Sequence, residues 1–409
     1  MIVDAKQLLQ QYGSPLYLYD EECLENKCKR IKQFETSLKE RLSGNIAVSM
    51  HYAIKANSNL SILEIVKKNG LKVDCMSPLE LEINKKCGFK KNEILYVCNN
   101  ISAEEMKAVI DEGILICLDS ISQVETCGKV CPGTKIMVRI NPGTVGVGHS
   151  QKVVTSGKAT KFGISEDNLQ QLFDTATKYD LHIIGTHQHL GSLFLNDKIS
   201  DYIAGVKAGL DIVKKYFKDV EIVDLGGGFG VPYEPREEEL TLSYVQNELI
   251  PVLNGFIEEY PSVKEFKFEP GRYIPCEAGD LLGTVMATKY ENGIWWIGTD
   301  IGMGTIPRPS MYDSYHEIIV PDSEGELVTA NFCGNVCESG DILGKERKVK
   351  LPKVGDLVVV HNAGAYGYSM ASNYTGRLRP AEVMVMHGDG NCQLIRRRET
   401  IDDLIGLMM

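Results

Sequence analysis

"HYAIKANSNLSILEIVKKNG", residues 51–70, has the pattern of a buried apolar strand followed by an amphipathic helix that stops at a glycine. A lysine, Lys55, stands where the strand runs out. The same alternation of short β-branched runs and helical stretches begins at residue 46 and continues to about residue 275. Its strand candidates are "IAVSMHYAIKA", "LKVDCMS", "EILYVCNN", "ILICLDS", "KIMVRINP", "LHIIGTHQHLGS", "VEIVDLGGGFG" and "EFKFEPGR".

Eight strand–helix units predict a (β/α)8 TIM-like barrel, closed and parallel, with its helices outside. We assign this barrel to residues 22–275. After it the helical period fades, and runs such as "GIWWIGTD" and "DLVVVHNAG" predict a second, mostly antiparallel β domain. The early segment "SPLYLYD" at 14–20 is expected to join that sheet, so the second domain would comprise residues 1–21 plus 276–409.

The composition, with 43% apolar and 24% charged residues, is typical of a soluble globular protein with a sizeable core. A net charge of -11 without a concentrated basic face argues against nucleic acid and favours a small-molecule partner. We find no secretory signal and no apolar run near the roughly 18 residues of a membrane span, so we expect a cytoplasmic protein without a membrane partner. The twelve cysteines are expected to be reduced thiols, and no metal site is expected.

Functional residues of such a barrel gather where its strands end. Lys55 follows Ala53 and Ile54 in what is expected to be the barrel interior, where an ammonium is costly unless it is paired. A desolvated lysine has a lowered pKa and can attack an aldehyde, which indicates Schiff-base chemistry. Most strand-end lysines merely reach solvent, and that alternative stays open here.

A glycine run follows the seventh strand candidate. Gly226, Gly227 and Gly228 leave backbone N–H groups bare, so that an anion can approach them closely. "EPGR" after the eighth candidate adds Gly271 and Arg272 as a second wall for one phosphate. A lysine amine beside a phosphate cradle predicts pyridoxal 5'-phosphate as the cofactor.

This cofactor makes two further demands on the protein. Its ring nitrogen must stay protonated, which calls for a carboxylate, and its flat face needs a stacking partner. Glu269 suits the first role and His189 the second. A salt bridge to a neighbouring arginine and a satisfied core histidine are the alternatives, but the shared location of both residues at the barrel mouth favours a functional site.

In the β domain, "CGNVCESGDILG" places Cys337, Glu338 and Asp341 within five residues. Cys337 could be an exposed acid, although loops often carry such residues without any chemistry. Tyr366, between small residues, is suited to contact a ring or a phosphate. "IPRPSMYDSYH" supplies Arg308 and Tyr312 as a fork and a hydroxyl for a carboxylate.

Taken together, these motifs closely resemble those of the diaminopimelate decarboxylase family. This family belongs to the fold-type III pyridoxal phosphate enzymes, with the ornithine and arginine decarboxylases and, more distantly, alanine racemase. The resemblance covers nearly the whole chain through "YAIKAN", "HLGS", "DLGGGFG", "EPGR", "RPSMYDSYH", "CESGD" and "GAYGYSMASNYTGRLRPAEV". It implies a barrel with an alanine racemase-like β domain, and a head-to-tail homodimer whose active sites mix residues from both chains.

The resemblance also implies a role for individual residues. Lys55 would hold the cofactor covalently, His189 would stack on its ring, and Glu269 would bind its pyridine nitrogen. Cys337 would be the proton donor, and Glu338 would reach the substrate from the partner subunit. Further cofactor contacts would come from Ser192, Gly226, Gly227, Gly228, Pro270, Gly271, Arg272 and Tyr366. Substrate contacts would come from Arg272, Arg308, Tyr312, Glu338 and Tyr366.

The activity that the resemblance implies is decarboxylation of meso-2,6-diaminopimelate to L-lysine and carbon dioxide, a lyase reaction of lysine biosynthesis. Three alternatives stay open at this point. One is a decarboxylase of the same family that acts on another amino acid, such as D-ornithine or D-lysine. The others are an amino-acid racemase and a catalytically silent pyridoxal-binding protein.

Overall fold

The computed structural model describes residues 4–143, 155–157, 160–388 and 390–408. These residues form two compact units. The barrel unit comprises residues 27–232 and 238–273, and the sheet unit comprises the described residues up to 26, 233–237 and those from 274 onwards. No helix in the described ranges is long and apolar enough to cross a bilayer.

The described residues contain eighteen strands and eleven α-helices. The strands are β1 (Leu16–Asp20), β2 (Ala47–Ala53), β3 (Lys72–Cys75), β4 (Ile94–Val97), β5 (Leu115–Leu118), β6 (Lys135–Asn141), β7 (Ile164–Ser165), β8 (His182–His187), β9 (Ile222–Asp224), β10 (Glu265–Phe268), β11 (Gly279–Glu291), β12 (Ile294–Thr299), β13 (Ile318–Ile319), β14 (Leu327–Cys333), β15 (Ile342–Lys350), β16 (Leu357–Val360), β17 (Ala381–Val385) and β18 (Cys392–Arg396). The helices are α1 (Ala5–Tyr12), α2 (Glu21–Arg41), α3 (Leu60–Lys68), α4 (Pro78–Lys86), α5 (Ala103–Asp111), α6 (Ile121–Val130), α7 (Leu169–Lys178), α8 (Ile199–Tyr216), α9 (Leu242–Glu259), α10 (Arg308–Tyr312) and α11 (Ile401–Ile405).

The barrel unit is a closed ring of eight parallel strands. Its order is β2, β3, β4, β5, β6, β8, β9 and β10, which pairs with β2 again, while β7 adds to β6 outside the ring. Each strand is the core of one of the eight sequence candidates, so the predicted barrel is confirmed. Beyond their first residues the strands are mostly buried, because a parallel sheet is covered on both faces.

Local sequence signals start and stop the barrel helices as expected. At α4, the Ser77 side chain accepts the backbone N–H of Glu80 at 3.3 Å, and Pro78 occupies the first turn, where its missing N–H costs nothing. Gly70 and Gly88 follow α3 and α4 with φ of 73° and 78°, a conformation that glycine adopts without strain. These signals bring the chain back to the next strand.

The sheet unit contains a nine-stranded, mostly antiparallel sheet in the order β15, β14, β12, β11, β1, β17 and β18, with β16 on β11 and β13 on β16. Strand β1 pairs with β11 through Leu16 and Leu282 and with β17 through Leu16 and Ala381, as expected for the 14–20 segment. The sequence did not indicate β15. Its "KERK" stretch at 345–348 is highly charged, which suits the sheet edge where β15 lies.

Candidate active site

Lys55 lies just past the carboxyl end of β2, in a single 3₁₀ turn of residues 54–56. Its ammonium nitrogen Nζ is 3.3 Å from Oδ2 of Asp74, which is fully buried on β3. Burial raises the pKa of Asp74 to about 7, although the positive charge of Lys55 acts to lower it. Lys55 is therefore paired with a carboxylate. One expectation was wrong: the Lys55 side chain is 38% exposed, because the turn carries it beyond the strand.

Glu269 follows β10 and is buried, 5% exposed. Its Oε2 lies 3.1 Å from Nε2 of His187, the last residue of β8. Burial would raise the pKa of Glu269, but its interaction with His187 and the nearby Lys55 ammonium together lower it. The carboxylate is therefore ionised. Its other oxygen, Oε1, has no hydrogen-bond partner among the described residues.

His189 lies two residues beyond β8 and is held by the glycine run. Its Nδ1 accepts the backbone N–H of Gly227 at 3.1 Å, so this nitrogen carries no proton. Burial, with the positive charge of Arg139, lowers the pKa of His189 to about 3. The imidazole is neutral at physiological pH, as suits a flat stacking surface.

The glycine run after β9 has room for no side chain. Gly226 has a φ of 70°, and a Cβ there would lie 2.4 Å from the Gln188 carbonyl oxygen. A Cβ on Gly227 would lie 2.0 Å from the carbonyl oxygen of Glu269, and one on Gly228, whose φ is 104°, would lie 2.8 Å from that of Gly191. The run therefore packs backbone on backbone across the ends of β8, β9 and β10. The expectation of bare amides was wrong for two of the three glycines, because the Gly226 N–H donates to the Asp224 carboxylate at 2.8 Å and the Gly227 N–H donates to His189.

Arg272 and Ser192 come together at the same end of the barrel. Arg272 is buried and donates from Nη2 to the Ser192 hydroxyl at 3.2 Å. Pro270 and Gly271, which lead to Arg272, are buried as well, and the Pro270 carbonyl accepts the N–H of Ala53 at 3.1 Å. A guanidinium and a hydroxyl are among the groups that proteins use to bind phosphate.

Gly227→Ala tests whether this backbone packing matters. The new methyl group must displace the Glu269 backbone, so we expect weaker binding of pyridoxal phosphate and a free energy of unfolding lower by about 1–3 kcal/mol. Equilibrium dialysis and thermal denaturation measure the two quantities. Gly255→Ala is the matched control: nothing lies within 4 Å of its Cβ on α9, so helix propensity should raise stability by up to about 1 kcal/mol. Unchanged cofactor affinity in Gly227→Ala would remove this run from the site.

In the sheet unit, the loop before β15 is anchored by Asp341. This buried carboxylate accepts the backbone N–H groups of Val336 at 2.8 Å and Met303 at 2.6 Å. Cys337 and Glu338, which Asp341 thereby fixes in the loop, are exposed. Glu338 accepts a short hydrogen bond from the Tyr374 hydroxyl. The loop presents a thiol and a carboxylate on a defined backbone.

Arg308 begins α10 and is buried, 1% exposed. Its Nη1 lies 2.7 Å from Nε2 of His316, whose Nδ1 donates to the His361 carbonyl, and its guanidinium lies 4.6 Å from the Tyr233 ring centroid. These contacts hold the Arg308 guanidinium in one position. Tyr312 ends the same helix and is half-buried.

Tyr366 is half-buried and adopts a φ of 56°. A tyrosine in this left-handed conformation is strained, and such strain clusters at functional sites. The backbone conformation is therefore a second reason, independent of the sequence motif, to regard Tyr366 as a candidate functional residue.

Three charged residues of the barrel site had no role in the sequence analysis. Asp74, Arg139 and Asp224 lie on barrel strands and are buried. His187, Asp224 and Glu269 offer ligand atoms within 4.8 Å of one another. The signal was present in the sequence: each interrupts or ends an otherwise apolar strand candidate, as Lys55 does.

Comparison with known proteins identifies the family. A family model described as "Pyridoxal-dependent decarboxylase, pyridoxal binding domain" matches residues 27–276. A curated diaminopimelate decarboxylase of Methanothermobacter thermautotrophicus is 35% identical over 98% of this chain and 93% of its own length. The chain belongs to the diaminopimelate decarboxylase family.

Two structures of this family in complex with L-lysine are also similar. The one from Helicobacter pylori has 30% identity, a TM-score of 0.86 and 99% of each chain covered. The one from M. jannaschii has 30% identity, a TM-score of 0.88, and 99% and 94% covered.

The cofactor of this family, pyridoxal phosphate, fits the barrel site. The half-exposed amine of Lys55 suits an aldehyde, and Glu269 is an ionised carboxylate with one oxygen unbonded among the described residues. Arg272 and Ser192 offer a guanidinium and a hydroxyl for a phosphate beside the glycine run, in which the Gly226 and Gly227 N–H groups are already donated to Asp224 and His189. When bound, pyridoxal phosphate supplies a conjugated ring that takes up the electron pair of a breaking bond at the α-carbon.

Proposed function

We propose that this chain decarboxylates meso-2,6-diaminopimelate to L-lysine and carbon dioxide with pyridoxal phosphate. The observation that carries the proposal is the convergence of Lys55, Glu269, His189 and an anion cradle at one end of the barrel. The L-lysine bound in two structures of the family supports the identity of the product. The cytosolic location expected from the sequence stays a prediction.

In this proposal the barrel residues hold and polarise the cofactor. Lys55 would form the covalent link, and the adjacent Asp74 carboxylate would stabilise the amine when it is charged. Glu269, kept ionised by its contact with His187, would keep a proton on the pyridine nitrogen. The neutral His189 would lie against the ring, and Ser192, Arg272 and the glycine run would bind the phosphate.

The residues of the sheet unit would select the substrate and complete the reaction. Arg308 and Tyr312 would bind the distal carboxylate, with Arg272 assisting, and Tyr366 would contact cofactor and substrate. Glu338 would bind the distal ammonium group. The Cys337 thiol would donate the proton that replaces the departing carboxylate at the α-carbon, which conserves both atoms and charge.

Glu338→Ala should raise the KM for meso-diaminopimelate roughly tenfold to a hundredfold, because a charge-assisted hydrogen bond to the distal amine is lost. Cofactor affinity should stay unchanged. Steady-state kinetics and a cofactor titration separate the two effects. Glu324→Ala, at another exposed glutamate of the sheet unit, is the control and should behave as wild type. Unaltered kinetics in Glu338→Ala would exclude the residue from the site.

We further propose that the chain works as a homodimer in which Cys337 and Glu338 serve the partner's barrel site. The exposure of both residues on an anchored loop supports this arrangement, because a side chain that completes a neighbouring site must lie at the surface of its own chain.

Shared sites predict complementation between inactive variants. Lys55→Ala and Cys337→Ala homodimers should each be nearly inactive, but unfolding and refolding them together should produce hybrids with one intact site. Activity should then return to about a quarter of wild type for random pairing. Separately refolded proteins, mixed afterwards, provide the control. If no activity returns although mass spectrometry detects hybrids, each site is built from one chain.

Assay of carbon dioxide release over a panel of amino acids tests the substrate. We expect release from meso-diaminopimelate and little from D-ornithine or D-lysine. A clear preference for another amino acid would overturn the proposed substrate while leaving the decarboxylase chemistry in place.

A further inference from the structure

The end of the barrel opposite the candidate active site holds a cavity of about 450 Å³. It is lined by residues at or near the amino ends of the barrel strands, including Lys72 on β3, Lys135 on β6 and Ile222 on β9. The candidate active site lies past the carboxyl ends of the strands, with Lys55 after β2 and Glu269 after β10. The cavity, which we call the floor cavity, is thus separated from that site by the packed interior of the barrel.

The inner part of the floor cavity has an unusual concentration of charge. Lys267 on β10 is buried, and its Nζ lies 3.0 Å from Oε1 of Glu265, which lies 3.5 Å from Nζ of Lys72. Two ammonium groups therefore share one carboxylate. Nε2 of His51 lies 3.2 Å from the Lys267 amine. Burial lowers the pKa of His51 to about 3, so its imidazole is neutral and does not change the net charge of the cavity.

Two further lysines, Lys91 and Lys135, line the rim and are exposed. Neither ammonium group makes a hydrogen bond or an ion pair with any residue that the structure describes. Glu221, which interacts electrostatically with Lys135, is itself paired with Lys264. Four lysines against one glutamate give the lining a formal net charge of +3, although burial lowers the pKa of Lys267, in a chain whose net charge is -11.

The remaining walls are mostly apolar. Leu115, Ile184 and Ile222 are only partly buried although they belong to barrel strands. A cavity with apolar walls, few polar groups and uncompensated charge is the usual form of a small-ligand site. Packing alone does not call for a buried ammonium, which is costly to desolvate and which an aliphatic side chain would replace at lower cost.

We propose that the floor cavity binds a small organic anion with at least two negative charges, a dicarboxylate, tricarboxylate or phosphate ester with a short apolar body. One anionic group would pair with Lys72 and Lys267 and share them with Glu265, and the other would bind Lys91 and Lys135 at the rim. The apolar body would cover Leu115 and Ile222. Bound anion stabilises the folded barrel by mass action and makes its stability dependent on ligand concentration.

The test is isothermal titration calorimetry of the cofactor-loaded enzyme at low salt with two probes, citrate and inorganic phosphate. Loading with pyridoxal phosphate prevents either probe from entering the cofactor's own phosphate site. Citrate binding stronger than phosphate binding indicates a carboxylate ligand, and the reverse indicates a phosphate ester. We expect millimolar or tighter affinity that weakens with added salt, because exposed rim charges are screened.

Lys91→Glu combined with Lys135→Glu should weaken binding at least roughly tenfold. The matched control combines Lys207→Glu and Lys353→Glu, which make the same charge change at exposed lysines outside the cavity lining, and it should bind like wild type. Thermal denaturation without ligand verifies that both double variants fold. Absence of binding to wild type at about 10 mM of either probe, or equal loss in both double variants, overturns the proposal. The calorimetric readout does not depend on decarboxylase activity. The proposed anion site and the proposed decarboxylase function can therefore fail separately.

Discussion

Lys55→Ala is expected to lower kcat by roughly 10⁴-fold or more and to abolish the near-visible absorbance of the covalently bound cofactor. The amine is the group at the barrel mouth suited to attack the aldehyde, and it stands half-exposed beside Asp74. Absorbance spectra of reconstituted protein and turnover of meso-diaminopimelate measure both effects.

Lys55→Arg separates covalent chemistry from charge pairing. Arginine keeps a positive charge beside Asp74, but its guanidinium does not form the linkage, so this variant should be as inactive as Lys55→Ala while retaining wild-type stability. Lys86→Ala, at an exposed lysine on α4, controls for loss of a lysine and should be fully active. An unchanged spectrum in Lys55→Ala would show that the cofactor is held elsewhere.

The second large effect is expected at Glu269. Glu269→Gln preserves size and one hydrogen-bonding oxygen but removes the buried negative charge that faces His187 at 3.1 Å. Without the Glu269 charge, the pyridine nitrogen of the bound cofactor loses its proton more readily. We therefore expect kcat to fall roughly 10²- to 10³-fold. The covalent cofactor should remain bound, because Lys55, Arg272 and Ser192 are untouched.

Comparison of kcat with cofactor content distinguishes this loss from misfolding. Glu258→Gln, on the exposed face of α9, makes the same change outside the site and should leave both quantities unchanged. If Glu269→Gln retained full kcat, the carboxylate would have only a structural role with His187.

The sequence predicted the barrel because each of its strands is a short apolar run between polar loops, a pattern that local residues determine. It did not indicate β15, whose charges suit a sheet edge but weaken the apolar signal on which strand prediction depends. The insertion of β1 between β11 and β17 was expected only in outline. The choice of neighbours depends on packing between distant segments.

Chain position was sufficient to predict which candidate residues lie at the carboxyl end of the barrel strands. Parallel strands bring all their carboxyl ends to one edge, so Lys55, the glycine run and "EPGR" had to gather there. The pairings could not be predicted, because Lys55 and Asp74 are 19 residues apart and His187 and Glu269 are 82 apart. The exposure of Lys55 depends on one 3₁₀ turn, which the residue pattern does not reveal.

Chiral chromatography of the product after incubation of the purified, cofactor-loaded enzyme with meso-diaminopimelate tests the proposed activity most directly. We predict L-lysine as the single amino-acid product, with one carbon dioxide released per lysine formed. Recovery of diaminopimelate stereoisomers with both carboxylates intact, or of no product from protein that carries the cofactor on Lys55, would contradict it.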